Sequence, residues 1–296
     1  MKNRRWMLSA VGLAIMFAVG ATAANAPTLK FRFTKADVPG AQQTFAEGIN
    51  NAGVTVGYYV DSGGLGDGYI LKGKQVTNLD DPNAVAGGTI AISLNPDGTI
   101  SVVGTYVSGK TGYMVGFLYK GGSYTDIPGP AGAVQAEAFG INDSGAIVGF
   151  YQDSGSVQHG FLLKGKEYTT LDVPGATATW ANGINKSGRV ALQWLNQSGA
   201  WESSLYNGKT YTTIDVPGAV DSYAADLNAA GDVCYGWTDS SGASHGALLH
   251  SGKYYKFDYP KSTATYGQGI NDKGNIIGDY QTASGGQNYY GFKATY

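Results

Sequence analysis

Six copies of one motif at a nearly constant spacing, two complementary partial copies at the ends, and no apolar run at helical spacing predict an all-β fold. The form expected is a six-bladed β-propeller of four-stranded antiparallel blades, closed by pairing of the N-terminal strand with the C-terminal blade. Aligned on Gly-Ile-Asn, the copies put Asn50, Asn95, Asn142, Asn185, Asn228 and Asn271 in one column, at intervals of 45, 47, 43, 43 and 43 residues. Spacings of this size suit a single four-stranded blade. With 46 Gly, 21 Tyr and only 14 % charged residues, the composition fits short strands and tight turns, and its apolar content argues against disorder.

The third copy shows each element in order. Ala138 to Asn142 reads as an inner strand, and Asn142-Asp143-Ser144-Gly145 as the turn that follows it. Asn opens such a turn by bonding its own backbone, and Gly takes the positive φ that ends it. Asn50-Asn51-Ala52-Gly53, Asn95-Pro96-Asp97-Gly98, Asn185-Lys186-Ser187-Gly188, Asn228-Ala229-Ala230-Gly231 and Asn271-Asp272-Lys273-Gly274 repeat it. The Asn column therefore reads as turn chemistry and not as a ring of ligands. Ala146 to Tyr151 follows as the second strand, His159 to Leu163 as the third and Tyr168 to Asp172 as the fourth. Val173-Pro174-Gly175-Ala176 then breaks the ladder, since Pro cannot donate to it. Asp37-Val38-Pro39-Gly40, Asp126-Ile127-Pro128-Gly129 and Asp215-Val216-Pro217-Gly218 repeat this punctuation.

After Asn271 the chain supplies a second strand and a third at Tyr290 to Lys293 but no fourth, whereas Leu29 to Asp37 precedes the first inner strand. The early segment is expected to complete the last blade, which would remove an exposed sheet edge. An open solenoid is the structural alternative, and it calls for capping repeats in place of two complementary partial ones.

Residues 1–23 have the three parts of a secretory signal: basic Lys2, Arg4 and Arg5, an apolar stretch from Met7 to Val19, and Ala21-Thr22-Ala23 for cleavage. The apolar stretch is shorter than the roughly 20 residues that a membrane helix needs, so no span is expected after its removal. Residues 24–296 are then one propeller domain, expected to be secreted, with a periplasmic location as the alternative. Loss of the leader leaves 17 basic against 22 acidic residues and a charge of −5, with Arg32 and Arg189 as the remaining arginines. No basic stripe exists, which excludes nucleic acid as the expected partner. The one cysteine, Cys234, shares a column with Val56, Val148, Ala191 and Ile277 and reads as a core residue.

His159-Gly160-Phe161 and His245-Gly246-Ala247 begin third strands, and together with Gly-Ile-Asn and Asp-x-Pro-Gly the repeat resembles the bacterial extracellular repeat named after the triplet His-Ala-Phe. The resemblance covers residues 33–292. It implies secretion and a propeller-like β repeat, and no chemistry that transfers to named residues. Neither histidine copy matches the triplet fully, and the other blades carry Asp67, Val115, Glu202 and Tyr290 at that position.

In such a blade the loops after strands two and four open on one face, which gathers the candidate ligand-binding residues. Tyr59, Tyr106, Tyr151, Trp194, Trp237 and Tyr280 place an aromatic ring at the end of every second strand. They would either stack on sugars or seal the gaps between blades. The acidic column Asp37, Asp80, Asp126, Asp172, Asp215 and Asp258 reads as turn chemistry before each Pro-containing crossing, not as a metal collar. His159 and His245 lie on different blades, so no zinc set is expected; neither a metal nor a cofactor is assigned. Blade four departs most from the pattern, with Trp180, Trp194, Trp201 and Glu202 close in sequence to Arg189. There Trp194 and Trp201 would stack on a ligand that Glu202 hydrogen-bonds.

The function these features favour is a secreted, monomeric, non-catalytic binding module for a carbohydrate or cell-surface polymer, acting through the face that carries the strand 2–3 and 4–1 loops. No catalytic residue is assigned. Two readings stand beside it: a secreted polysaccharide hydrolase or lyase using the central channel, with Glu137 and Glu202 as nonrepeating acids, and an adhesive propeller that docks a surface protein.

Overall fold

Short strands rich in Val, Ile, Tyr and Thr, separated by Gly turns, give a chain of β-strands with no α-helix among the described residues. The computed structural model describes residues 29–97, 100–283, 286 and 288–296, so the expected leader and Gly98 lie outside the described residues. The compact unit runs from Phe31 to Tyr296.

Strand β1 (Arg32–Lys35) precedes a first sheet of β2 (Gln43–Ile49), β3 (Thr55–Val60), β4 (Gly66–Lys72) and β5 (Gln75–Leu79). The next two repeats supply β6 (Ala84–Leu94), β7 (Ser101–Ser108), β8 (Met114–Lys120) and β9 (Ser123–Ile127), then β10 (Gln135–Ile141), β11 (Ile147–Gln152), β12 (Gln158–Lys164) and β13 (Glu167–Leu171). A further sheet holds β14 (Ala178–Ile184), β15 (Val190–Leu195), β16 (Trp201–Tyr206) and β17 (Tyr211–Thr213). Another holds β18 (Asp221–Leu227), β19 (Val233–Thr238), β20 (Ser244–His250) and β21 (Lys253–Phe257). The final repeat gives β22 (Ser262–Ile270), β23 (Ile276–Thr282) and β24 (Tyr289–Thr295), and β1 adds to it as a fourth strand beside β24.

The sheets are four-stranded and antiparallel and take a propeller arrangement, but they are not six separate sheets. Four stand as four-stranded sheets, while β6 to β13 form one sheet of eight. The cause is local: a single parallel bridge between Ala136 of β10 and Val115 of β8 joins two otherwise independent ladders. β1 runs antiparallel to β24, with Phe33 opposite Ala294 and Lys35 opposite Phe292. Inner strands pack on one another in succession, β2 on β6, β6 on β10, β10 on β14, β14 on β18 and β18 on β22, and β22 in turn lies against β2.

The Asn column does more than turn the chain. Asn142, for example, accepts from the backbone N–H groups of Ser144 and Ala146 through Oδ1, and donates from Nδ2 to the carbonyl of Asn185 in the next repeat at 3.1 Å. Asn185 donates likewise to Asn228 at 3.0 Å, Asn228 to Asn271 at 3.3 Å and Asn271 to Asn50 at 2.9 Å. Sequence reasoning found the turn and missed this clasp between neighbouring repeats. Cys234 is fully buried, and desolvation pushes its thiol pKa upward, which suits a core residue.

Candidate functional site: a blind axial cavity

Counting back from the Asn in each copy explains how the inner strands build a cavity. The residue just before Asn is Ile49, Leu94, Ile141, Ile184, Leu227 or Ile270; all six are buried and surround a void of only about 20 Å³. One step earlier stand Gly48, Gly140, Gly183 and Gly269, where a Cβ would come within 2.9 Å of an atom of the next repeat, Ile92 O, Asn182 O, Asp226 Oδ1 and Glu47 O respectively. Backbones meet here, and only Gly permits that approach. The Asn end is thereby plugged.

Above the plug the register slips by one residue in every inner strand, at Glu47, Ile92, Phe139, Asn182, Ala225 and Gln268. A bulge leaves its extra residue outside the ladder and re-aims its side chain. All six bulged residues line a cavity of about 270 Å³. Two residues earlier, Ile90, Glu137, Trp180 and Tyr223 line it as well, and Tyr58, Thr105 and Gln193 join them from second strands. Between these two layers lie Ala46, Ala91, Ala138, Ala181 and Ala224, each fully buried away from the cavity. The cavity is blind at the glycine layer, and its upper lining lies toward the start of the inner strands, the side of the 4–1 loops.

Its walls join aromatic rings to polar groups. Trp180 stacks on Phe150 at 5.0 Å, contacts Trp201 at 5.0 Å and Phe139 at 6.1 Å, and donates its Nε1–H to Gln158 at 2.9 Å. Asn182 donates to the carbonyl of Ala224, and Tyr223 donates to Gln268. Burial pushes the carboxyl of Glu137 up to about 7 and that of Glu47 to about 7. Asp226 is also pushed up to about 7 by burial, although its two oxygens accept from the backbone of Leu227 and Ile270. Behind the wall, burial and the nearby Glu47 charge raise Asp279 well above the ordinary carboxylate range. No hydrogen bond or ion pair within the described residues engages the carboxyl of Glu47 or Glu137.

The sequence-predicted residues sit elsewhere. Tyr106, Trp237 and Tyr280 are 3 %, 8 % and 3 % exposed, and Tyr59, Tyr151 and Trp194 are half-buried. Tyr106 donates to Asp126, Trp194 to Ser204, Trp237 to the Gly246 carbonyl, and Tyr280 stacks on Tyr259 at 3.7 Å. The three buried rings are packing elements and offer no open face to a ligand. Each aromatic stands directly across the ladder from the column that begins the third strand, so Tyr151 stacks on His159 at 5.1 Å and Trp237 on His245 at 4.7 Å.

His159 bonds Asp172 at 2.8 Å and Asp153 at 3.5 Å, and His245 bonds Asp258 at 2.9 Å and Asp239 at 3.4 Å. Desolvation lowers the His159 pKa, but the two carboxylates outweigh it and leave it raised. The acidic column thus ties the fourth strand to the third: Asp37 and Asp215 reach the backbone N–H groups of Gly291 and Ser203. Among the described residues no group of three or more His, Cys, Asp or Glu is placed to hold a metal ion. The expected blade-four site is divided, because Trp194 faces Glu202 across the ladder while Trp201, paired with Leu195, projects to the other side and joins Trp180. Glu202 accepts from Asn196 at 2.6 Å.

No protein-family model matches the chain, and no curated protein matches it. Solved structures do. A mutant of the Aleuria aurantia lectin in complex with Fucalpha1-6GlcNAc superposes with a TM-score of 0.52 at 14 % identity, covering 85 % of this chain and 96 % of the lectin. AofleA from Arthrobotrys oligospora gives 0.54 at 11 % identity, covering 89 % and 86 %. A protein of Agrobacterium tumefaciens provisionally assigned as TolB gives 0.57 at 12 % identity, covering 86 % and 90 %. At these identities the likeness defines the fold, a β-propeller, and nothing finer. No helix among the described residues is long and apolar enough to cross a membrane.

Proposed function

We propose that this chain is a secreted, monomeric, non-catalytic carbohydrate-binding propeller whose ligand enters the blind axial cavity. In this reading the eight-stranded sheet counts as two blades, which makes six, and the ring is closed where β1 adds to β24 and Asn271 bonds Asn50. Export by residues 1–23 and kinship with the His-Ala-Phe repeats belong to the same proposal. The observation that carries it is the cavity lining: a Trp180 platform backed by Phe150 and Trp201, faced by amides and by the Glu47 and Glu137 carboxyls, which no group among the described residues engages. Pyranose rings present apolar faces to aromatic rings and hydroxyls to such polar groups. The volume of about 270 Å³ sits just below the usual ligand-pocket range and suits one sugar unit. That the fold serves lectins, one of them crystallised with a fucoside, supports the choice of ligand class.

A glycan array followed by calorimetry tests this. Binding should weaken about tenfold or more in Trp180→Ala, since aromatic stacking in a pocket is worth on the order of 1 kcal/mol or above. Trp237→Ala, at a packing ring, should lower stability without a matching specific loss. Absence of binding to every glycan by the folded protein removes the reading.

The raised carboxyls favour one second reading, an exo-acting hydrolase in which Glu137 serves as the protonated acid. Turnover of a polysaccharide panel that vanishes in Glu137→Gln would establish it over plain binding.

A further inference from the structure

We infer that the axial cavity selects an amino sugar, with the ammonium group paired with the Glu137 carboxyl and the ring lying on Trp180. The inference rests on the carbohydrate-binding reading and deepens it. Three carboxyl-bearing residues, Glu47, Glu137 and Asp226, line a cavity whose lining includes no Lys, Arg or His. An ion pair would ordinarily accompany buried carboxylates, and the ion pairs of the described residues are instead His–Asp contacts at the rim and at Asp232. Behind that cluster stands a further carboxyl, under the influence of Glu47. Asp279 is 2 % exposed, carries a carboxyl oxygen with no hydrogen-bond partner, and bonds the Gln268 side chain that forms part of the cavity wall. The Glu47 and Glu137 carboxyls meet no hydrogen-bond donor among the described residues, and a ligand bearing an N–H₃⁺ group supplies one.

The aromatic lining points the same way, because an ammonium gains from the faces of Trp180, Phe139 and Tyr58 as well as from carboxylates. Anionic sugars would meet only like charge and are disfavoured. Ionisable groups around the seat come from several strands: Tyr58 on β3, Tyr223 and Asp226 on β18, Tyr266 on β22 and Asp279 on β23. None is cationic, so the seat gains negative charge as pH rises. An arriving ammonium would drive off the proton that burial holds on Glu137 near neutrality.

Calorimetry on the whole protein with glucosamine, glucose and N-acetylglucosamine tests the idea. At about pH 7 glucosamine should bind roughly tenfold or more tightly than either neutral sugar, with protons released, and the preference should vanish near pH 5, where the carboxyls are protonated. Glu137→Gln should abolish the preference for glucosamine over both neutral sugars, and circular dichroism confirms that the variant is folded. Should that variant fail to fold, the comparison of glucosamine with N-acetylglucosamine in the native protein still decides. Equal affinity for all three sugars would overturn amine selection while leaving the carbohydrate reading intact. No affinity for any sugar on the array or in the cell would remove both.

Discussion

The two ends of the axis are built on opposite rules. At the Asn end every turn carbonyl that the clasp reaches is bonded across to a neighbouring repeat, six aliphatic side chains fill the axis, and glycine backbones touch. At the other end the same six strands splay their bulged residues around empty space and leave the Glu47 and Glu137 carboxyls without a hydrogen bond among the described residues. Repetition marks the first and variation the second. The difference teaches that interlocking contacts in this molecule are concentrated where the copies agree, and that the cavity opens where they do not.

The largest effect should come from breaking the clasp. In Asn271→Ala the backbone N–H groups of Lys273 and Asn275 lose their acceptor and the Asn50 carbonyl loses its donor. With each buried orphan costing about 1–3 kcal/mol, urea unfolding should show a loss of about 3–5 kcal/mol. A loss below about 1 kcal/mol would mean that the two ends differ less than the hydrogen bonds suggest.

Relieving the cavity end should act in the other direction. Glu137 keeps its proton up to about 7 in the fold, whereas an unfolded Glu ionises near 4.3, so folding binds a proton between those values. Stability is therefore greatest at acid pH and falls as pH rises from about 4.5 to 7. Glu137→Gln should stabilise the protein by up to about 3 kcal/mol near pH 8 and by nothing near pH 4, an upper bound because water enters the cavity. Thermal unfolding at both pH values checks this, and a variant uniformly weaker than the parent would sharpen the comparison against us.

The rim lies between these extremes and should respond least. The His159 pKa is raised, so its contribution is complete below about 6.5 and disappears as pH climbs through the folded value. His159→Gln should cost less than about 1 kcal/mol near pH 6 and nothing measurable near pH 8, since the ring and its carboxylates are partly solvated.

Strand positions, turns and the repeat frame were legible in the sequence because each rests on local chemistry: Asn and Gly at the turn, Pro at the crossing, alternation within strands. The packing of Tyr106 and Tyr280 was half legible, since a ring recurring in every copy fits both a lattice of contacts and a row of sites. The cavity was harder to find. Its lining is Glu47, Ile92, Phe139, Asn182, Ala225 and Gln268 in the bulged column, and no motif search gathers six unlike residues. The usable signal was the contrast with the column just before it, which reads Ala in five copies and Gly267 in the sixth. Glu137 and Trp180 did stand out as departures from the repeat, but register slippage, which decides where they point, leaves no mark on composition. The bridge that fuses two sheets through Ala136 and Val115 is likewise a matter of angle between neighbours.

The slipped residue in each inner strand has one more consequence. Because it belongs to no ladder, exchanging Glu47, Ile92, Phe139 or Ala225 leaves the strand pairing intact, and the alanine before each stays to hold the sheet in place, whereas Asn182 and Gln268 also bond neighbouring repeats. The axis is in effect a socket with four replaceable pins, so a library randomised at those positions alone would vary the lining on an unaltered frame.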